Sequence, residues 1–246
     1  MPSEAGGTNP QGRFSKAIFI ARENRSPVPH VPITGAIFDC DGTLLDSMDS
    51  WLEAQDELIH QAGFVMTEEE TRHVGPLSLP ETAAFFHDRF GLGASAEDVI
   101  DMIFERMQVQ YGEKVLPRPG ALAFVRKLHE SGIKCSVASS TSPHLLTFAL
   151  EKTGFLPYLD AVVSVDDVGA SKYQPAVYDR ARELMGTQKE STWVFEDSLS
   201  ALKTAKDAGY RTVGVYDRDI SGTKAELAIA DIVIESFEDA GSLFLP

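Results

Sequence analysis

The sequence predicts an α/β fold: a doubly wound parallel sheet core with an inserted all-α cap domain. Short apolar runs of strand length recur along the chain, and stretches with helical periodicity lie between most of them. Such alternation is typical of a parallel sheet covered by helices. One interval, residues 48–117, looks helical throughout and breaks the alternation, which indicates an insertion.

Five apolar runs are the predicted strands, and each is short enough to be a strand buried inside a parallel sheet. If they wind in the usual Rossmann-like order, the first and fourth are neighbours at the point where the strand order reverses. The five runs are Ile33–Phe38, Lys134–Ala138, Ala161–Val165, Thr192–Phe195 and Arg211–Val215.

Helices are predicted from apolar periodicity and from capping residues. Ser142 and Pro143 form an N-cap followed by a first-turn proline, and Gly132 is a stop signal. The predicted helices are Trp51–Ala62, Leu79–Phe90, Ala96–Tyr111, Ala121–Glu130, Pro143–Lys152, a helix opened by Pro175, and Leu199–Ala208.

Three parts of the chain follow from these elements. Residues 1–32 are an N-terminal extension, because glycines and prolines punctuate them too densely for a regular packed element. Whether the extension is flexible or docks on the domain stays open. Residues 33–47 and 118–246 form the Rossmann-like core, and residues 48–117 form the helical cap.

Composition limits the kinds of partner that the protein can bind and the cellular compartment in which we expect it. The net charge of −15, from 22 basic and 37 acidic residues, repels phosphate backbones and argues against a nucleic-acid partner. Two cysteines, Cys40 and Cys135, do not indicate a disulfide framework. No apolar run approaches the roughly 20 residues that span a bilayer. We therefore expect a cytoplasmic protein without a membrane partner, and the oligomeric state stays open.

The strongest chemical signal lies directly after the first predicted strand. Residues 39–43 read DCDGT, so two carboxylates separated by one residue stand where the chain leaves the sheet. Ligands of open α/β sheets bind at this carboxyl end of the strands. Gly42 permits a tight turn and a close backbone approach. An acidic turn without chemistry is the plainer interpretation, and the preceding apolar strand disfavours it.

Residues 39–47 (DCDGTLLDS) resemble the first motif of the haloacid-dehalogenase-like superfamily, and the later motifs follow in the right order. The resemblance covers about residues 34–240. It is closest to the branch with phosphoglycolate phosphatase and β-phosphoglucomutase, which carries a helical cap between its first and second motifs. The resemblance implies that Asp39 is the nucleophile. It also implies that Asp41 is the general acid–base, with its backbone carbonyl on the metal.

The second and third motifs supply a hydroxyl and a cation. Ser139 ends a strand, and the resemblance implies that it holds a phosphoryl oxygen. Lys172 supplies the fixed positive charge needed when a carboxylate attacks an anionic phosphate. Ser171 and Tyr173 depart from the usual motif around that lysine. The predicted catalytic residues are Asp39, Asp41, Ser139 and Lys172, and the predicted phosphate-binding residues are Gly42, Thr43, Ser139, Ser140 and Lys172.

The fourth motif adds two acids, Glu196 and Asp197, after another apolar strand. Each pair of like charges near 4 Å costs on the order of 1–4 kcal/mol in wet or partly wet surroundings. Several such pairs require a cation or raised pKa values. All-oxygen ligands suit Mg²⁺ better than zinc. The predicted cofactor is therefore Mg²⁺, and the predicted metal residues are Asp39, Asp41, Glu196 and Asp197.

The predicted function is hydrolysis of a small phosphate monoester, a phosphorylated metabolite, through an aspartyl-phosphate intermediate. A phosphomutase would use the same residues but admit the hydroxyl of a sugar phosphate in place of water. A dehalogenase is disfavoured, because that branch does not keep the second aspartate and Asp41 is present. A non-catalytic binding protein would be expected to have lost a charged motif residue. The substrate and the cap residues that select it are beyond sequence reasoning.

Overall fold

The strands form one large sheet and one small pair. The computed structural model describes residues 18–19, 33–74, 77–216 and 224–244. Most of the predicted extension, residues 1–32, lies outside the described residues. The strands are β1 (Ile18–Phe19), β2 (Gly35–Phe38), β3 (Leu45–Asp46), β4 (Leu116–Pro117), β5 (Lys134–Ser139), β6 (Ala161–Ser164), β7 (Thr192–Glu196), β8 (Arg211–Val215) and β9 (Ile232–Ile234).

Six strands of the large sheet run parallel in the order β6-β5-β2-β7-β8-β9, and β1 pairs antiparallel with β9 at the edge. The chain starts at the central strand β2, adds β5 and β6 on one side, and then continues with β7 on the other side. Phe38 of β2 therefore pairs with Val137 of β5 and with Phe195 of β7. The predicted fold class and the predicted neighbourhood of the first and fourth strands are confirmed.

The helices agree closely with the sequence prediction. Three of them, Leu79–Phe90, Ala121–Glu130 and Pro143–Lys152, have the predicted bounds. The helices are α1 (Met48–Gln61), α2 (Glu68–Val74), α3 (Leu79–Phe90), α4 (Ala96–Glu113), α5 (Ala121–Glu130), α6 (Pro143–Lys152), α7 (Val165–Val168), α8 (Ala176–Met185), α9 (Leu199–Asp207), α10 (Lys224–Leu227) and α11 (Phe237–Phe244), with 3₁₀ turns at Leu156–Tyr158 and Lys189–Ser191.

Both faces of the sheet are covered, as the alternation of side chains along β2 demonstrates. Phe38 lies on one face, where it stacks on Phe195 with ring centroids 4.6 Å apart and meets the edge of Phe124 from α5. Ile37 lies on the opposite face, in a second apolar cluster with Val194. Because successive strand residues point to opposite faces, we expect the side chains of Asp39 and Cys40, which follow Phe38, to point in opposite directions as well.

The helices α1–α4 occupy the stretch that the sequence predicts to be a cap. Phe86 of α3 and Ile103 of α4 are fully buried, which agrees with an apolar interior for this region. The sequence predicts helix throughout residues 48–117, but the last two residues of this range form β4. This strand pairs antiparallel with β3, so the two chain segments that link the helices to the sheet lie side by side. The division into core and cap at residues 48 and 117 stays a prediction. None of the helices that the structure describes is long and apolar enough to cross a membrane.

Candidate active site

The loop after β2 places Asp39 at the carboxyl edge of the sheet. The backbone N–H of Asp39 donates to the Phe195 carbonyl at 2.9 Å and so continues the ladder between β2 and β7. The chain then turns sharply, because the N–H groups of Leu44 and Leu45 both donate to the Cys40 carbonyl. Cys40 itself is fully buried among apolar residues, on the same face as Phe38. The Asp39 side chain is left facing the sheet edge and is 9% exposed.

Gly42 brings this loop against the fourth motif. Its φ of +82° lies in the left-handed region, and a Cβ at this position would lie 2.5 Å from Asp197 Oδ2. The Thr43 hydroxyl donates to Asp197 Oδ1 at 3.0 Å. Arg118, which follows β4, donates from Nη1 to the Gly42 carbonyl at 3.0 Å. The first and fourth motifs are therefore in direct contact.

Lys172 lies between two carboxylates. Its Nζ donates to Asp39 Oδ1 and, at 2.6 Å, to Glu196 Oε1. The hydroxyl of Tyr178, on α8, donates to the same Glu196 oxygen at 2.9 Å. Burial lowers the pKa of Lys172, but the charges of Asp39 and Glu196 outweigh burial and hold this pKa well above its usual value. The lysine therefore keeps its positive charge.

Three buried acids form one group. Asp39, Glu196 and Asp197 offer carboxylate oxygens that all lie within 4.8 Å of one another. Burial is the main cause of a raised pKa at Asp39, and Glu196 and Asp197 raise it further. Burial, together with the Glu196 charge, raises the pKa of Asp197 to about 7. When ionised, three carboxylates against one ammonium leave two negative charges, and this set of hard oxygen donors fits a divalent ion such as Mg²⁺.

The carboxylate of Asp41 is held by three hydroxyl groups. Ser47 Oγ donates to Oδ1 at 2.7 Å, and Thr141 Oγ1 donates to Oδ2 at 2.8 Å. The Tyr111 hydroxyl also donates to Oδ1, at 2.5 Å. Burial, the Asp41 charge and the Asp41 hydrogen bond are among the causes that hold the pKa of Tyr111 well above its usual value, so this phenol remains a donor.

The predicted serines lie at the end of β5, next to β2. Ser139 is buried, and its Oγ accepts a hydrogen bond from the backbone N–H of Thr141 at 3.1 Å. Ser140 is exposed. The Ser164 hydroxyl, at the end of β6, donates to the Thr141 carbonyl at 2.8 Å. The ends of three adjacent strands are thereby connected.

Sequence reasoning missed several residues that complete this arrangement. Thr141 follows the two predicted serines, and its hydroxyl in the run SST was a signal that could have been used. Tyr178 lies on the buried face of the helix that Pro175 opens, and the sequence carries no signal that connects its hydroxyl with Glu196. Nothing in the sequence connects Tyr111 with Asp41 or Arg118 with Gly42, since 70 and 76 positions of the chain separate the two pairs.

A family model described as haloacid dehalogenase-like hydrolase matches residues 36–215. The chain belongs to this family. A phosphorylated carbohydrates phosphatase of Thermotoga maritima is 25% identical over 203 residues, which are 82% of this chain and 94% of that protein. Hexitol phosphatase A of Escherichia coli is 25% identical over 214 residues, 83% of this chain and 91% of that protein. The predicted family and the predicted enzyme class, a phosphoric monoester hydrolase, are confirmed.

Solved structures of this family superpose well on the chain. CbbY from Rhodobacter sphaeroides, in complex with phosphate, has a TM-score of 0.73 at 25% identity and covers 85% of this chain and 96% of its own. A Thermotoga maritima protein that is provisionally named a beta-phosphoglucomutase has a TM-score of 0.73 at 24% identity, with 86% and 98% coverage. The second likeness supports the fold alone.

Proposed function

We propose that the protein is a Mg²⁺-dependent phosphatase that hydrolyses a small phosphate monoester through an aspartyl-phosphate on Asp39. The observation that carries this proposal is the contact of Lys172 with both Asp39 and Glu196 inside the group of three buried acids. A nucleophilic carboxylate and a cation that remains charged are features that attack on an anionic phosphate requires. The surplus of two negative charges suits a divalent ion, which would screen the carboxylates from the phosphate.

Asp39, Glu196 and Asp197 would hold the metal, with the backbone carbonyl of Asp41 as a further ligand. Bound there, Mg²⁺ would hold a phosphoryl oxygen and screen its charge from the attacking carboxylate. Lys172 would neutralise another phosphoryl oxygen. The Thr43 hydroxyl fixes the orientation of Asp197, and hydrogen bonds of this kind tune metal ligands.

The first half of the reaction transfers the phosphoryl group to the enzyme. A carboxylate oxygen of Asp39 attacks phosphorus, and the bond from phosphorus to the ester oxygen breaks. Asp41 donates its proton to the departing oxygen, which leaves as an alcohol. Ser139, at the end of the neighbouring strand, would bind a phosphoryl oxygen throughout, and Ser140 would assist it.

The second half restores the enzyme. Asp41, now a carboxylate, accepts a proton from a water molecule whose oxygen attacks phosphorus. The bond between phosphorus and the Asp39 oxygen breaks, so that inorganic phosphate leaves and both aspartates return to their starting states. The helices of residues 48–117 would act as a cap that excludes other water until substrate is bound.

The substrate class is proposed from the names of the relatives. One relative is named for phosphorylated carbohydrates and another for hexitol phosphates. A phosphorylated sugar or polyol is therefore the first class to test. With a net charge of −15, the protein repels such an anion overall, so its binding would depend on local groups such as Lys172.

A panel of sugar and polyol monophosphates tests the proposal by release of inorganic phosphate, with Mg²⁺ and with EDTA. We expect release only with Mg²⁺, and its loss in Asp39→Asn. Asp207→Asn is the matched control, because Asp207 is an exposed acid at the end of α9. Release that persists in both EDTA and Asp39→Asn would refute the mechanism. An isomerised sugar phosphate in place of inorganic phosphate would identify a phosphomutase.

A further inference from the structure

Tyr111 connects the helical insertion to the first motif. It lies in the last turns of α4, the residue is 2% exposed, and its hydroxyl donates to Asp41 Oδ1. The phenol is the donor in this bond, because an ionised carboxylate has no proton to give. A helix of the insertion thus supplies one of the hydrogen bonds to the carboxylate.

The three hydroxyl groups donate unequally to the two carboxylate oxygens of Asp41. Among the residues that the structure describes, Oδ1 accepts from both Ser47 and Tyr111, whereas Oδ2 accepts from Thr141 alone. Protonation is unfavourable at an oxygen that already accepts two hydrogen bonds, because the proton would compete with the two donors. The Thr141 hydroxyl can rotate and become an acceptor. The hydrogen bonds therefore make Oδ2 the oxygen that exchanges a proton with the substrate.

We propose that Tyr111 is a positioning residue for the acid–base Asp41: by occupying Oδ1, it aims Oδ2 at the ester oxygen of the substrate. This inference rests on the proposed function, in which Asp41 protonates the departing alcohol. Ser47 lies in the same connection as Asp41, only six residues away. Tyr111 is different because it comes from α4, so the direction of the Asp41 carboxylate depends on where α4 holds the phenol.

The same chain offers a matched pair of residues away from the first motif. Tyr210 is buried to a similar extent, and its hydroxyl donates to Asp179 Oδ1 at 2.7 Å. Tyr210→Phe and Tyr111→Phe each remove one hydroxyl that donates to an aspartate and keep the ring. A loss of rate that follows from weaker packing alone would be shared by the two variants.

The readout is the dependence of kcat/KM on the leaving group. An alkyl phosphate needs a proton on its leaving oxygen, whereas 4-nitrophenyl phosphate releases a stabilised anion that does not. We expect Tyr111→Phe to lower kcat/KM for an alkyl phosphate about tenfold more than for 4-nitrophenyl phosphate, since general acids contribute about 10²–10⁴-fold and only the aim is lost. Tyr210→Phe should leave the ratio of the two values unchanged.

A second variant, Ser47→Ala, removes the other donor to Asp41 Oδ1, so we expect a change of the ratio in the same direction. Equal losses on both esters in Tyr111→Phe would overturn the inference while leaving the phosphatase intact. A wild-type protein that hydrolyses neither ester with Mg²⁺ would overturn the proposed function, and the inference with it. Circular dichroism of each variant checks that the fold is retained.

Discussion

Gly42→Ala tests the contact between the first and fourth motifs. An alanine at φ +82° costs about 1–2 kcal/mol, because the Cβ of an L-residue crowds the backbone in this region. The new Cβ would also lie 2.5 Å from Asp197 Oδ2, about 0.5 Å inside the shortest distance of 3.0 Å that real Cβ atoms show. Forcing the carboxylate aside adds about 1–3 kcal/mol. We expect a total destabilisation of about 2–5 kcal/mol.

Gly132→Ala separates the backbone cost from the displaced carboxylate. Gly132 has a φ of +80°, and no described atom lies within 4 Å of a Cβ added there. Its variant should lose about 1–2 kcal/mol of unfolding free energy in urea and should keep its affinity for Mg²⁺. Gly42→Ala should lose more stability and bind Mg²⁺ about 10–100-fold more weakly, because its ligand Asp197 is displaced. Calorimetric titration of Mg²⁺ into each protein measures the affinity.

Equal Mg²⁺ affinity in Gly42→Ala and Gly132→Ala would refute this reasoning, since the carboxylate beside Gly42 would then have no part in holding the metal. Equal destabilisation together with unequal affinity would refute only the packing estimate. The two measurements therefore test separate claims about one contact.

Three further predictions concern the same group. Lys172→Met should lower kcat at least about 10²–10³-fold, because the phosphoryl oxygen that Lys172 would neutralise then lacks its cation; near-normal kcat at saturating Mg²⁺ would contradict its role. Thr43→Val should cost about 1–2 kcal/mol of unfolding free energy in urea and weaken Mg²⁺ binding, because Asp197 loses a hydrogen bond; unchanged affinity in calorimetry would contradict this. In EDTA, Asp197 of the folded protein stays protonated up to about pH 7, because its pKa is raised to about 7. In the unfolded chain the same carboxyl loses its proton near pH 4. The unfolding free energy should therefore fall by about 2–4 kcal/mol as pH rises from about 4 to about 7, relative to Asp197→Asn; parallel pH profiles of the two proteins would contradict the raised pKa.

The sheet could be predicted from the sequence because its strands are locally distinct. Each central run is apolar on both faces, and each ends at a residue that breaks the apolar pattern, such as Asp39 after β2 or Glu196 at the end of β7. The usual doubly wound strand order then makes β2 and β7 neighbours. The convergence of the motifs is a consequence of topology, so the strand pattern and this order suffice to predict it.

The elements that sequence reasoning missed are short or weakly patterned. Ile232–Ile234 has three residues, and Leu116–Pro117 has two. Runs of this length do not differ from ordinary loop sequence, and they become strands only because a partner is already in place. The helix Glu68–Val74 is similar, since among its seven residues the structure buries only Val74.

The hydrogen-bond partners of the site could not be predicted for a different reason. Tyr111 reaches Asp41 across 70 positions of the chain, and Arg118 reaches Gly42 across 76. Their positions depend on how the helical insertion packs, which no local pattern encodes. The side-chain geometry of Asp41 is therefore information that only the folded structure contains.

The crowding of acids connects stability with metal binding. An Asp197 pKa of about 7 instead of about 4 corresponds to a cost of about 4 kcal/mol for an ionised carboxylate in the metal-free fold. A ligand that is present at 100 times its dissociation constant stabilises the folded state by about 2.7 kcal/mol. The two amounts are comparable, so a bound divalent ion offsets most of the cost of keeping Asp39, Glu196 and Asp197 together. Asp197→Asn should therefore stabilise the metal-free protein above pH 7 and remove the stabilisation by Mg²⁺, because one carboxylate is the source of both effects.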